Sequence, residues 1–307
     1  MTFIEATERG KNALWRWILG LLTALGCWQV LGAGPLLTAW LWAELDGDPA
    51  TRLDPTTSGL QGVEPLLGQY LLPNLSHPFF LLGIFVAVRV LLRRPLRTLV
   101  TPASRVRWRR IGVGFGLWLL GAALSAAVEA LLYPGRFQWQ NVDVGRYLLF
   151  LPLALIFTPL QTTTEELFFR GLLLQGTGRL VPWRWLAAAI NGMLFALPHL
   201  LNPEVAQAPV LLMLYYFGLG TLLAWMTLRD GTAELALGAH AANNLFVALL
   251  INYENSALQT PALIISNHLD PLYNLISLLV MAAVFAIVAF HAGGSARPAT
   301  QKEPGPD

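Results

Sequence analysis

Charge is scarce in this chain. Of its 307 residues, 12% are Asp, Glu, Lys or Arg and 55% are hydrophobic, where a soluble domain carries about a quarter charged residues. With a mean hydropathy of +0.54, this excludes an ordinary soluble globular protein. Cysteine is scarcer still. The single Cys27 rules out an intrachain disulfide and a multi-thiolate zinc site, and with no histidine near it in sequence it reads as packing. A Gly-x-Ser-x-Gly elbow, a His-Glu-x-x-His helix and an intramembrane pair of aspartates are all missing. The usual serine, zinc and aspartyl protease designs therefore lack their parts. Internal repeats and a second, soluble domain are also missing. The net charge of +2 gives no reason to expect nucleic acid as a partner.

What is present is a series of long apolar runs, at about 17–42, 78–92, 111–132, 147–174, 185–200, 209–228, 233–251 and 272–290. They predict an all-α polytopic membrane bundle of about eight transmembrane helices, with the lipid bilayer as its surroundings. The first run is too long for a signal-peptide core and reads as a retained span. Residues 93–110 carry seven arginines, Arg93, Arg94, Arg97, Arg105, Arg107, Arg109 and Arg110. Between two spans such a block is a positive-inside signal and suits anionic headgroups. With the N-terminus inside, the loops at 93–110, 176–184 and 229–232 and the tail all fall inside, and each contains Arg or Lys. The loops at 44–76 and 253–270 fall outside and are acidic or neutral, while Arg136 and Arg146 in the loop 134–146 dissent mildly. Both termini are thus expected in the cytoplasm of a prokaryotic cell membrane. The chain divides into an N-terminal transmembrane pair with its arginine loop (1–110), a membrane-embedded bundle (111–292) and a disordered tail (293–307).

Within the fourth run stand Glu165, Glu166 and Arg170. Each such charge costs about 2.5–3.5 kcal/mol to insert into a bilayer, so an intramembrane ionisable residue marks a functional site by default. On a helix Glu166 and Arg170 are one turn apart in the favourable order and neutralise each other. Glu165 points about 100° away and is left to face something else. Two of the five histidines lie inside spans. His199 shares a helix face with Phe195, and His240 shares one with Asn244. The other three, His77, His268 and His291, are expected at loops or the membrane interface. One buried histidine is commonly satisfied by a backbone carbonyl. An acid pair, two histidines and an in-register asparagine between residues 165 and 244 form a constellation instead. Helix rise puts Glu165 roughly 15 Å, His240 roughly 12 Å and His199 roughly 22 Å from the inner loops, so span five must tilt or start late to bring His199 level.

Glu165-Glu166-x-x-x-Arg170, Phe195-x-x-x-His199 and His240-x-x-x-Asn244, in order on three spans, resemble the three-motif signature of the CPBP (CAAX protease and bacteriocin-processing) family of intramembrane proteases. The flanks are similar too, in Glu-Glu-Leu-Phe-Phe-Arg-Gly and Gly238-Ala-His-Ala-Ala-Asn-Asn. The resemblance covers about 145–252. It departs at Arg229-Asp-Gly-Thr-Ala-Glu234, where a plainer Thr-Gly-Ser-Leu turn is expected.

Peptide hydrolysis needs an activated water and a cradle for the oxyanion. Glu165 suits the base, His199 can hold and polarise the water, His240 and Asn244 can donate to the oxyanion, and Arg170 compensates Glu166. The resemblance implies the same roles. It also leaves a metal open, since Glu165, His199 and His240 resemble a Zn²⁺ ligand set. The reading is an endopeptidase cleaving a membrane-associated peptide or protein near the cytoplasmic face. Two alternatives stand beside it: an idle membrane scaffold or immunity-type protein, and a proton-coupled transporter.

Overall fold

Every apolar run becomes a helix, because a backbone surrounded by hydrocarbon must satisfy its own N–H and C=O groups. The computed structural model describes residues 2–54, 59–257 and 259–292, and the tail 293–307 lies outside them. Among the described residues, six helices are long and apolar enough to cross a membrane: α1 (Leu14–Leu45), α2 (Leu66–Leu91), α3 (Trp108–Leu132), α4 (Val144–Leu180), α6 (Pro209–Asp230) and α8 (Pro271–Phe290). Two shorter ones stand where the fifth and seventh spans are expected, α5 (Arg184–Ala196), continued by a 3-10 turn over Leu197–Leu201, and α7 (Glu234–Leu249). The protein is an all-α membrane bundle.

Apolar side chains point outward as well as inward. Leu22, Val30 and Leu41 on α1, Leu124 and Leu131 on α3 and Leu279 and Val284 on α8 are exposed, as lipid-facing residues should be. One core cluster joins the N-terminal helices to the rest, with Trp17, Phe80, Ile84, Leu99, Trp118, Phe168, Phe195, Leu223 and Leu235 packed together. Helices α3 and α7 approach most closely at glycines. A Cβ on Gly238 would fall onto the Ile111 carbonyl, and one on Gly114 onto that of Leu235. Small residues of this kind let membrane helices pack backbone to backbone.

Two boundaries differ from the sequence expectation. Residues 66–77, read as loop, are the first turns of α2. This makes the second span longer than residues 78–92 suggest and moves His77 into it. Residues 176–180, also read as loop, continue α4. Glu165 therefore lies about 22 Å along α4 from Leu180, His199 about 22 Å from the start of α5 and His77 about 21 Å from Leu91. The levelling that seemed to demand a tilted span five comes from the longer α4.

The connections gather at two ends. At one end, Gln175 bonds the carbonyls of Phe3 and Thr98, Arg94 donates to Gln175, and Arg179 donates to Thr7. Arg107 pairs with Glu234 and Asp230, and Arg110 with Asp230. The departure at Arg229–Glu234 is thereby explained, since its two acids fasten α7 and the end of α6 to the arginine loop. At the other end, β3 (Phe137–Trp139) pairs antiparallel with β5 (Ile264–Ser266), which pairs in parallel with β4 (Ile251–Tyr253). A small hairpin of β1 (Arg52–Asp54) and β2 (Gly59–Gln61) belongs to the connection between α1 and α2. The two dissenting arginines are paired here, Arg136 with Glu129 and Asp270, and Arg146 with Glu64.

Candidate functional site

The acid pair ends the first α-helical stretch of α4, Val144–Glu166. Beyond Glu166 the next eight residues, Leu167–Leu174, widen into a π-helix. The intended pairing survives it. Arg170 Nη1 donates to Glu166 Oε1 at 2.8 Å, and both side chains are fully buried. The guanidinium also packs over the Phe195 ring, 4.6 Å from its centroid, and donates to the Gly220 carbonyl at 3.3 Å.

His240 joins this pair. Its Nδ1 lies 2.7 Å from Glu166 Oε1. A carboxylate oxygen held by Arg170 can only accept, so Nδ1 carries the hydrogen. Glu166 thus holds the imidazole as well as Arg170, an orienting role that sequence spacing does not display. The other nitrogen, Nε2, faces Glu165 Oε2 at 3.8 Å.

Glu165 has a second imidazole on its other oxygen. His77 Nε2 lies 3.7 Å from Glu165 Oε1, and its Nδ1 is 3.3 Å from the Asn74 carbonyl. His77 is buried. The expectation that it belongs to a loop or interface is corrected, because α2 begins earlier than its apolar run. The signal that could have revealed it is Leu66–Tyr70, an apolar stretch ahead of Pro73 that extends the helix.

His199 is reached from the other side. Its Nδ1 bonds the Phe195 carbonyl at 2.9 Å, which again assigns the hydrogen to Nδ1 and leaves Nε2 as the lone pair of the neutral ring. The Phe195 ring lies 5.0 Å from that of His199 and 5.7 Å from that of His240. Tyr216 stacks on His199 at 4.1 Å, and its hydroxyl donates to Glu204 at 2.6 Å. Asn202 donates to both Glu204 and Tyr216. The Asn202-Pro203 turn thus carries polar groups that brace His199 through Tyr216. Trp118 on α3 donates to Asn243 on α7, and Asn243 donates to Asn244 Oδ1.

Glu165, His77, His199, His240 and Asn244 line one cavity of about 610 Å³. That volume is in the ordinary range for a binding site. At its rim, burial and then the neighbouring Glu204 carboxylate push the Tyr253 hydroxyl well above its usual range, so it remains a donor at neutral pH. Among the described residues no group of three or more His, Cys, Asp or Glu side chains is arranged to hold a metal ion. Glu165 has His77 and His240 on opposite oxygens.

Comparison with known proteins agrees with the motif reading. A family model described as type II CAAX prenyl endopeptidase Rce1-like matches residues 145–246. The uncharacterized protein YyaK of Bacillus subtilis (strain 168) is 34% identical over 289 residues, covering 94% of this chain and 95% of that protein. No solved structure matches. With three motifs on three helices, a matching family model and a relative that runs nearly its whole length, the chain belongs to the CPBP family, as an integral membrane protein of the Rce1-like CAAX protease type.

Proposed function

We propose that the protein is an intramembrane endopeptidase that hydrolyses a peptide bond of a membrane-associated protein or peptide, with Glu165 activating water. The observation that carries this reading is the Glu165 carboxylate between two imidazoles, His77 on one oxygen and His240 on the other, in a cavity of substrate size. Contacts of 3.7 and 3.8 Å are long for direct hydrogen bonds and suit an intervening water.

In the reaction Glu165 takes a proton from that water as its oxygen attacks the scissile carbonyl carbon. The carbonyl π-electrons move onto oxygen. His240 is held through Nδ1 by Glu166 and presents Nε2 beside the reacting atoms, where its imidazolium form donates to the oxyanion. Asn244 has its Oδ1 engaged by Asn243 and offers its amide N–H. Donors fixed before the reaction are worth about 3–4 kcal/mol each in such a role. When the C–N bond breaks, Glu165 returns the proton to the leaving amine. His199, fixed by Phe195 and Tyr216, helps to hold the water. No step uses a metal.

Transport fits less well, because Glu165, Glu166, Arg170, His77 and His240 gather around one point at the cavity and are not strung out as a relay. The test is cleavage of a membrane-peptide library by purified protein in lipid vesicles. Wild type releases products, while Glu165→Gln and His240→Ala each reduce release by about 10²-fold or more. Equal release by the variants refutes the reading.

A further inference from the structure

The side from which the cavity is reached follows from its lining. Its deep part holds Glu165, His77 and His240, and its outer part holds Phe137, Tyr253, Ser266, His268 and Asp270. Those outer residues belong to the three-stranded sheet and its connections. No lining residue comes from 93–110, 175–184 or 229–234, the segments that Gln175, Arg107 and Arg110 tie together at the opposite end.

The charge bias of the two ends is equally one-sided. The arginine end carries the exposed Arg93, Arg105 and Arg109 and the partly buried Arg97. At the sheet end Arg136 and Arg146 are each paired with acids, and Glu44, Asp48 and Glu254 add negative charge. Positive-inside bias therefore directs the arginine end to the cytoplasm. Helix rise from the expected loop at 176 places Glu165 roughly 15 Å from the cytoplasmic side. With α4 running to Leu180, the site stands about 20 Å from that end.

Resting on the peptidase reading above, we infer that the cavity takes its substrate from the extracytoplasmic face, so the scissile segment is an extracytoplasmic stretch of a membrane-anchored peptide. A membrane-anchored chain reaches such a mouth by lateral diffusion, and its cleaved segment is released outward.

The test is site-directed thiol labelling of the full chain in intact cells, using Cys27→Ala as background and a small charged, membrane-impermeant methanethiosulfonate as probe. Three single cysteines report: Asn267→Cys beside β5, Ser277→Cys in the cavity wall, and Ser104→Cys in the arginine loop. None belongs to the catalytic machinery. Labelling of Asn267→Cys and Ser277→Cys in intact cells, with Ser104→Cys labelled only after permeabilisation, is the expected result. Labelling of Ser104→Cys in intact cells, or of Ser277→Cys only after permeabilisation, overturns the inference. Labelling does not depend on catalysis. An inactive chain with the expected pattern would sink the peptidase reading and leave the direction of access standing.

Discussion

His77 Nε2 faces Glu165 Oε1 at 3.7 Å, both side chains nearly closed off from solvent. This brings a histidine from the second helix onto the acid of the fourth, from a part of the chain that the family match at 145–246 does not include. With Nδ1 bonded to the Asn74 carbonyl, the ring cannot turn away. Replacing His77 by Ala should lower turnover about 10- to 100-fold, the usual cost of losing a group that orients a reacting one. KM should change little, and His77→Gln should recover part of the loss. An unchanged rate in a variant that melts like wild type would remove His77 from the site.

Arg170 and Glu166 form a fully buried ion pair that also holds His240. Breaking one side leaves a charge in an apolar interior, which costs about 3–5 kcal/mol. Arg170→Met should therefore destabilise the protein by that order in detergent unfolding, and Glu166→Gln together with Arg170→Met should recover much of it. Activity should not recover, because His240 loses the carboxylate on Nδ1. Recovery of both would mean that Glu166 serves packing alone.

The α3–α7 contact predicts a size limit. A Cβ at Gly238 would overlap the Ile111 carbonyl, while one at Gly112 meets nothing within 4 Å. Gly238→Ala should cost about 1–3 kcal/mol by forcing the helices apart, and activity should fall with it, since His240 is only two residues further along α7. Gly112→Ala should be neutral or stabilising by up to about 1 kcal/mol. Thermal unfolding of the pair in one detergent checks this, and equal melting would show that the close approach is dispensable.

Asp270 caps α8 by accepting from Tyr273 N at 3.0 Å. That backbone bond, with Arg136 beside it, holds its carboxyl below the usual value. The folded state thus binds the proton less readily than the unfolded one. The cap's contribution is complete above the ordinary carboxylate pKa and is lost as pH falls through the depressed folded value. Wild type should lose stability on acidification in that range. Asp270→Asn keeps a capping oxygen but does not titrate, so its acid loss should be smaller. Parallel acid profiles would contradict this.

The helical class and most of the site were legible because each rests on local pattern. Apolar runs define spans, and i,i+4 spacing pairs Glu166 with Arg170 and Phe195 with His199. What sequence hid depends on partners far along the chain. His77 meets Glu165 only after α2 and α4 pack. Glu166 reaches His240 across two helices. Tyr216 and Glu204 brace His199 from beyond a turn. Hydropathy also misjudged ends. Gln175 and Arg179 look like loop residues, yet α4 carries them because Gln175 is buried against the Phe3 and Thr98 carbonyls. That error alone shifted the apparent depth of Glu165.

The central claim is that Glu165 is the base of a peptidase. Its most direct test is to map peptide termini in membranes of cells expressing wild type or Glu165→Gln at matched levels. The account predicts new termini in membrane proteins with wild type and their disappearance with Glu165→Gln, at unchanged abundance of the variant. The same termini in both membranes would contradict it and point to a protein that binds without cutting.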